Sequence, residues 1–191
     1  MKQNKGRRNC NPCTRQGNRK DSLNEVKEWA QTIIIAVVLA LLIRGFLFEI
    51  ILVDGNSMVP TLYDRDRVFV NKIIYLIGEP QHGDVIIFRT PEDNRSNYVK
   101  RLIGLPGDRI KIENGIVYLN NEPLYEPYIA APSYNDFAEV IVPEDSFFAL
   151  GDNRNDSKDS RDSHVGFISM KNLVGKAVWR IWPLDNLSAI R

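Results

Sequence analysis

Only two of the 191 residues are cysteines and two are histidines, and each scarcity closes off some chemistry. Cys10 and Cys13 both lie near the N-terminus, so everything after them must be held by packing rather than by disulfides. A lone Cys-x-x-Cys, with no second pair and no neighbouring histidine, cannot supply four zinc ligands from one chain. No strand–helix context around it suggests a thioredoxin-type site, and the pair reads as incidental. His82 and His164 stand in no metal-ligand spacing, and no cofactor is implied. Two histidines leave a Ser-His-Asp triad open, but no nucleophile-elbow sequence supports one. Internal repeats and low-complexity segments are absent. So is an overall charge of one sign, the formal net charge being +1.

Charge is nonetheless unevenly placed. Residues 1–28 carry eight basic and three acidic side chains, a net +5, which leaves −4 for the remainder. A basic arm alone suggests nucleic acid, but the apolar segment behind it argues for a membrane instead. Residues 33–43 contain no polar side chain. That unbroken run is shorter than the roughly 20 residues a membrane helix needs, and a buried core helix is the rival reading. Counted from Trp29 to Phe48 the segment reaches that length, with Trp29 at one interface and Arg44 able to snorkel to the other. The basic flank places the N-terminus in the cytoplasm and the rest outside, and both cysteines with it in a reducing compartment. No small-residue cleavage site comes after the run, so it is expected to stay as an anchor. The organisation expected is a basic cytoplasmic arm (1–28), a transmembrane anchor (29–48) and an extracytoplasmic β-rich domain (49–191).

After residue 62 come short runs rich in Val, Ile, Phe and Tyr, broken by turn residues. Stretches 67–70, 84–88, 98–103, 109–112, 115–119, 139–142, 146–150 and 175–181 read as strands. Pro106-Gly107-Asp108, Glu113-Asn114-Gly115 and Asn120-Asn121 mark tight reversals. The hairpin from Ile110 to Leu119 is the plainest local prediction. Helical pattern is confined to 73–77 and 169–173. The fold class expected is mainly β, with antiparallel sheets in a closed or nearly closed domain behind one transmembrane helix. Residues 123–136, rich in Pro, Tyr and Ala, read as an extended loop crossing the sheet.

Three stretches carry chemistry. In residues 55–62, GNSMVPTL, Ser57 stands between a glycine that frees the backbone and a proline that stops a helix. A serine can be activated by a lysine, provided burial lowers an amine pKa that is near 10.4 in water. Such a lysine belongs inside an apolar strand, and Lys100 lies in YVKRLIGLPGD (98–108). Alternation puts it on one face with Tyr98 and Leu102, and Arg101 on the other with Val99 and Ile103. A strand-edge lysine that deters aggregation is the plainer alternative. The third stretch, GDNRNDSKDSR (151–161), is either a solvated loop or one whose acids and arginines fix a site.

Together with GDVIIF (83–88), these motifs resemble, in order and behind an N-terminal anchor, those of type I signal peptidases. The likeness spans the chain from the anchor to the C-terminus. It implies a largely β catalytic domain and a serine endopeptidase that removes signal peptides from exported preproteins after small residues. Ser57 would be the nucleophile, its own backbone N–H contributing to the oxyanion site, and Lys100 the general base. Ser157 would hydrogen-bond the Lys100 amine, and Asp159 and Arg161 would pair to hold the site, supported by Asp152. A cleft formed by Ile51, Val53, Met58, Leu62, Tyr98 and Val99 would receive the signal peptide as an extended strand. Gly55 stands where some members carry an oxyanion-stabilising serine; glycine there marks the Gram-positive-like subgroup. The partners implied are signal peptides, the lipid bilayer and the secretion translocon, with no nucleic acid. Rival functions are a self-cleaving regulator built on the same dyad, against which the anchor argues, and a non-catalytic anchored β domain that binds exported proteins.

Overall fold

The computed structural model describes residues 18–90 and 96–190. Cys10, Cys13 and most of the basic arm lie outside the described residues, as does the side chain of Arg44. The chain divides into two compact units, Met1–Leu42 and Ile43–Arg191.

Helix α1 runs without a break over Asn18–Leu47 and so begins well before the predicted anchor. Its described apolar side chains point outward on every side: Trp29, Ile33, Ile34, Val37, Val38 and Leu41 are all exposed. Among the described residues, no helix is long and apolar enough to cross a membrane.

The second unit is mainly antiparallel β. Its strands are β1 (Phe48–Leu52), β2 (Arg67–Asn71), β3 (Val85–Arg89), β4 (Asn97–Gly104), β5 (Arg109–Glu113), β6 (Ile116–Leu119) and β7 (Glu122–Pro123). They continue with β8 (Phe137–Ile141), β9 (Ser146–Leu150), β10 (Ile168–Ser169), β11 (Leu173–Trp182) and β12 (Ser188–Ala189). The larger sheet has the order β1-β2-β11-β3-β4-β9-β10, with β12 on β11, and the smaller has the order β7-β6-β5-β8. Every pairing is antiparallel. Among the described residues, the larger sheet is an open path ending at β1 and β10 and does not close on itself into a full barrel.

Three apolar clusters hold this unit. β3 explains why its sequence is apolar without a break: Val85 and Ile87 enter one cluster with Val53, Met58, Leu62 and Val68, whereas Ile86 and Phe88 enter another with Leu102, Phe147 and Ile168. A strand buried on both faces needs no polar alternation. The third cluster joins Ile110, Ile112 and Val117 of the smaller sheet to Ile103, Phe148 and Leu150. The predicted hairpin forms, with Asn114 and Gly115 both at positive φ (51° and 79°) as a two-residue primed turn requires.

Residues 124–136 cross as one long connection, held in place by side chains. Glu126 grips Arg154, Tyr134 N–H donates to Asn155 Oδ1, and Arg161 donates to Ser133 Oγ. Short α2 (Ile74–Ile77) and a 3₁₀ turn at Met170–Asn172 fall within the two stretches of helical pattern.

Candidate active site

Residues 55–62 form a compact turn rather than a helix or strand. Gly55 has φ +87° and its N–H donates to Asp64 Oδ1, Leu62 N–H donates to the Met58 carbonyl, and the Val59–Pro60 bond is cis. Met58 and Leu62 are fully buried and pin the turn to the core, while Ser57, just before Met58, stays partly exposed. The family likeness puts both in the substrate cleft. Their side chains instead complete the cluster beneath it, because a turn without regular structure needs apolar anchors to keep one conformation.

Lys100 comes from the middle of β4, opposite Ile86, and is 4% exposed. Its Nζ donates to Ser57 Oγ at 2.6 Å and lies 5.2 Å from the centre of the Tyr98 ring. Burial lowers the Lys100 pKa to about 8, while Asp159 and Asp152 pull the other way. An amine so placed is poised to exchange a proton with the serine near neutral pH. Among the described residues, no backbone acceptor takes the Ser57 N–H.

A cavity of about 390 Å³ opens beside these two groups. Ile51, Val53, Tyr98 and Val99 line it, together with Ile87, Asp54 and Lys158. β1 pairs with β2 on one edge, and the ladder between β4 and β9 begins only at Arg101. The end of β1 with Val53 and Asp54 beyond it, and residues 97–100 of β4, therefore flank the cavity that Ser57 and Lys100 line.

The loop 151–161 wraps the back of the site. Asp159 and Arg161 pair through two prongs, Nε to Oδ1 and Nη2 to Oδ2, each at 2.8 Å. Asp159 Oδ2 also accepts from Gly151 N–H at 3.0 Å, and Arg161 Nη2 donates to the Arg154 carbonyl. Asp152, expected to support this pair, bonds to other groups. It receives Arg101 Nε and Nη2 at 2.8 and 2.7 Å and the Thr61 hydroxyl at 2.5 Å. Asp152 thereby ties the strand of Lys100 to the turn of Ser57.

Ser157 also departs from expectation. Its Oγ is buried with no hydrogen-bond partner, so the expected bond to Lys100 is not formed here. Lys100 donates to Ser57 instead. The two histidines sit elsewhere, His82 against Asp108 at 2.7 Å and His164 against Asp162 at 2.8 Å, and neither lines the cavity.

The motifs alone give no role to Thr61, Arg101, Glu126, Tyr128, Gly151 or Arg154. A signal for Arg101 is nonetheless present in the sequence: an arginine at an inward position of an apolar strand needs a buried acid to pair with.

Comparison with known proteins places the chain in a family. The family model described as signal peptidase, peptidase S26, matches residues 26–182. Signal peptidase I S of Bacillus subtilis (strain 168) is 41% identical over 173 residues, covering 85% of this chain and 92% of that protein. Signal peptidase I of Bacillus licheniformis is 43% identical over 174 residues, covering 86% and 92%. A solved signal peptidase I from Enterococcus faecalis V583 is 33% identical with a TM-score of 0.47, covering 52% of this chain and 97% of that one.

Proposed function

The chain belongs to the signal peptidase family, peptidase S26, a family of serine protease hydrolases, and on that premise we propose that it cuts preproteins with a Ser57–Lys100 dyad. The observation that carries the proposal is the 2.6 Å contact between Lys100 Nζ and Ser57 Oγ, inside a burial that lowers the amine pKa to about 8.

The neutral amine accepts the hydroxyl proton as Ser57 Oγ bonds to the peptide carbonyl carbon. The oxyanion that forms is met by the Ser57 N–H. The ammonium then returns the proton to the departing amine, leaving an ester on Ser57. Water, deprotonated by Lys100, attacks the ester and releases the signal peptide as an acid. The Asp159–Arg161 pair and Asp152 keep the loop and the turn in register.

Extended segments 51–54 and 97–100 offer two edges, between which a signal peptide would lie extended, with apolar walls suited to small side chains before the scissile bond. Residues 29–47 of α1 come close to the length of an anchor, Phe48 already belonging to β1, and the net +5 ahead of them favours an N-terminus in the cytoplasm and a β unit outside. The bilayer, and the translocon that delivers preproteins through it, are the partners this topology requires.

The test is cleavage of a fluorogenic signal-peptide substrate in detergent by wild type, Ser57→Ala and Lys100→Ala. Both variants are expected to fold and to be inactive. A variant that keeps near wild-type rate overturns the dyad, and binding without cleavage by wild type would favour a non-catalytic anchored domain.

A further inference from the structure

Two side chains from outside the three motifs close the polar scaffold behind the dyad. Both come from residues 124–136, the strap that leaves the smaller sheet. Arg101 spends the edge of its guanidinium on Asp152, which leaves the two flat faces to be covered. The Tyr128 ring covers one of them, with Arg101 Cζ 3.8 Å from the ring centre. Guanidinium stacked on an aromatic face, away from water, is a favourable arrangement, and it keeps the ion pair in low dielectric.

Tyr128 is itself held. Its hydroxyl donates to Glu126 Oε1 at 2.8 Å, and the same carboxylate takes both Nη1 and Nη2 of Arg154, whose side chain is fully buried. Arg154 Nε in turn donates to the Gly151 carbonyl, one residue before Asp152. Glu126 and Tyr128 therefore touch both arms of the scaffold. One arm runs through Arg101 and Asp152 to Thr61, and the other through Arg154 to Gly151.

We propose that Tyr128 and Glu126 are positioning residues for the dyad, setting the separation of Ser57 and Lys100 through Arg101 and Asp152. The inference rests on the dyad reading above. Arg101 is the chain neighbour of Lys100, and Asp152 holds the hydroxyl of Thr61 in the turn that carries Ser57. If the ring is lost, the Arg101 plane can tilt and water can enter, and the two catalytic groups then shift relative to each other. A displacement of this kind is felt in the chemical step rather than in substrate binding, because the cavity walls are untouched.

The test is steady-state cleavage by the full chain in detergent, with a thermal melt for each variant, comparing wild type with Tyr128→Leu, Tyr128→Phe, Glu126→Gln and Ser57→Ala. Tyr128→Leu is expected to lower kcat about tenfold with KM within about twofold, the scale of a desolvated cation–π contact. Tyr128→Phe keeps the ring and should recover most of that loss, whereas Glu126→Gln should lower kcat at unchanged KM. If Tyr128→Leu does not fold, the Glu126→Gln and Tyr128→Phe pair decides. A fall in melting temperature with kcat unchanged would reduce the strap to a stability element and overturn the proposal. So would a Phe variant as impaired as the Leu variant. Residual cleavage by Ser57→Ala would sink the dyad reading itself. An inactive Ser57→Ala beside a fully active Tyr128→Leu and Glu126→Gln would sink only this inference.

Discussion

Gly151 leaves no room for a methyl group against Ser157: a Cβ at residue 151 would lie 2.2 Å from Ser157 Oγ and 2.5 Å from the Ser57 carbonyl oxygen. Rotating the serine hydroxyl does not clear the clash, since Ser157 Cβ would lie at 2.6 Å, and the carbonyl belongs to the backbone of the Ser57 turn and must move. Gly151→Ala is therefore expected to cost about 1–3 kcal/mol of stability by overpacking. The same shift should lower kcat by roughly a hundredfold, the scale of a misplacement near 1 Å. Denaturant unfolding and steady-state rates on the same preparation check both.

Arg101 and Asp152 form an ion pair whose side chains are only 2% and 0% exposed. Removing one partner leaves an uncompensated charge in the interior, so Asp152→Ala should destabilise by about 3–5 kcal/mol. Replacing both, as in Arg101→Met with Asp152→Leu, should return much of the stability but not the activity, since Thr61 loses its acceptor. Urea unfolding of the two single variants and the double variant measures this directly. A single-variant cost below about 1 kcal/mol, the range of surface pairs, would contradict it.

Activity should follow deprotonation of Lys100. With its pKa held at about 8, the neutral fraction grows roughly tenfold per pH unit below that value and levels off above it. A rate profile flat from acid to alkaline pH would contradict a lysine base. Lys100→Arg should be inactive throughout, because a guanidinium does not deprotonate in this range.

The same burial has a stability consequence of opposite benefit. Because the folded pKa of about 8 lies below the ordinary lysine value of 10.5, the fold binds fewer protons than the unfolded chain between those values. Stability from this group is thus lowest below pH 8 and is regained as pH rises toward 10.5. Lys100→Met should be more stable than wild type at pH 7 by up to about 3 kcal/mol, and that advantage should shrink by about pH 10. Urea unfolding at the two pH values checks it.

Much of this arrangement is written locally, and some of it is not. The Asn114-Gly115 turn and the alternation that sets Lys100 with Tyr98 and Leu102 depend on neighbours in sequence, and both are legible there. β1 is hidden because its apolar residues continue the run of the helix, and β7, β10 and β12 are too short to show a period. Burial of Met58 and Leu62 cannot be told from lining a cleft, since both roles call for an apolar side chain. Asp152 has two equally good partners in sequence, Arg101 and Arg161, and only the fold brings Arg101 within 2.7 Å of it. Tyr128 lies 27 residues from Arg101 in a stretch without periodicity, and nothing short of the tertiary structure joins them.

The dyad is tested most directly by titrating the Lys100 amine itself, using nitrogen-15 NMR on lysine-labelled enzyme in detergent, beside the pH profile of cleavage. Lys100 is expected to titrate at about 8, coincident with the midpoint of the rate profile. A Lys100 that titrates near 10.4, as a solvated amine does, while cleavage is half-maximal near neutrality, would remove it as the base.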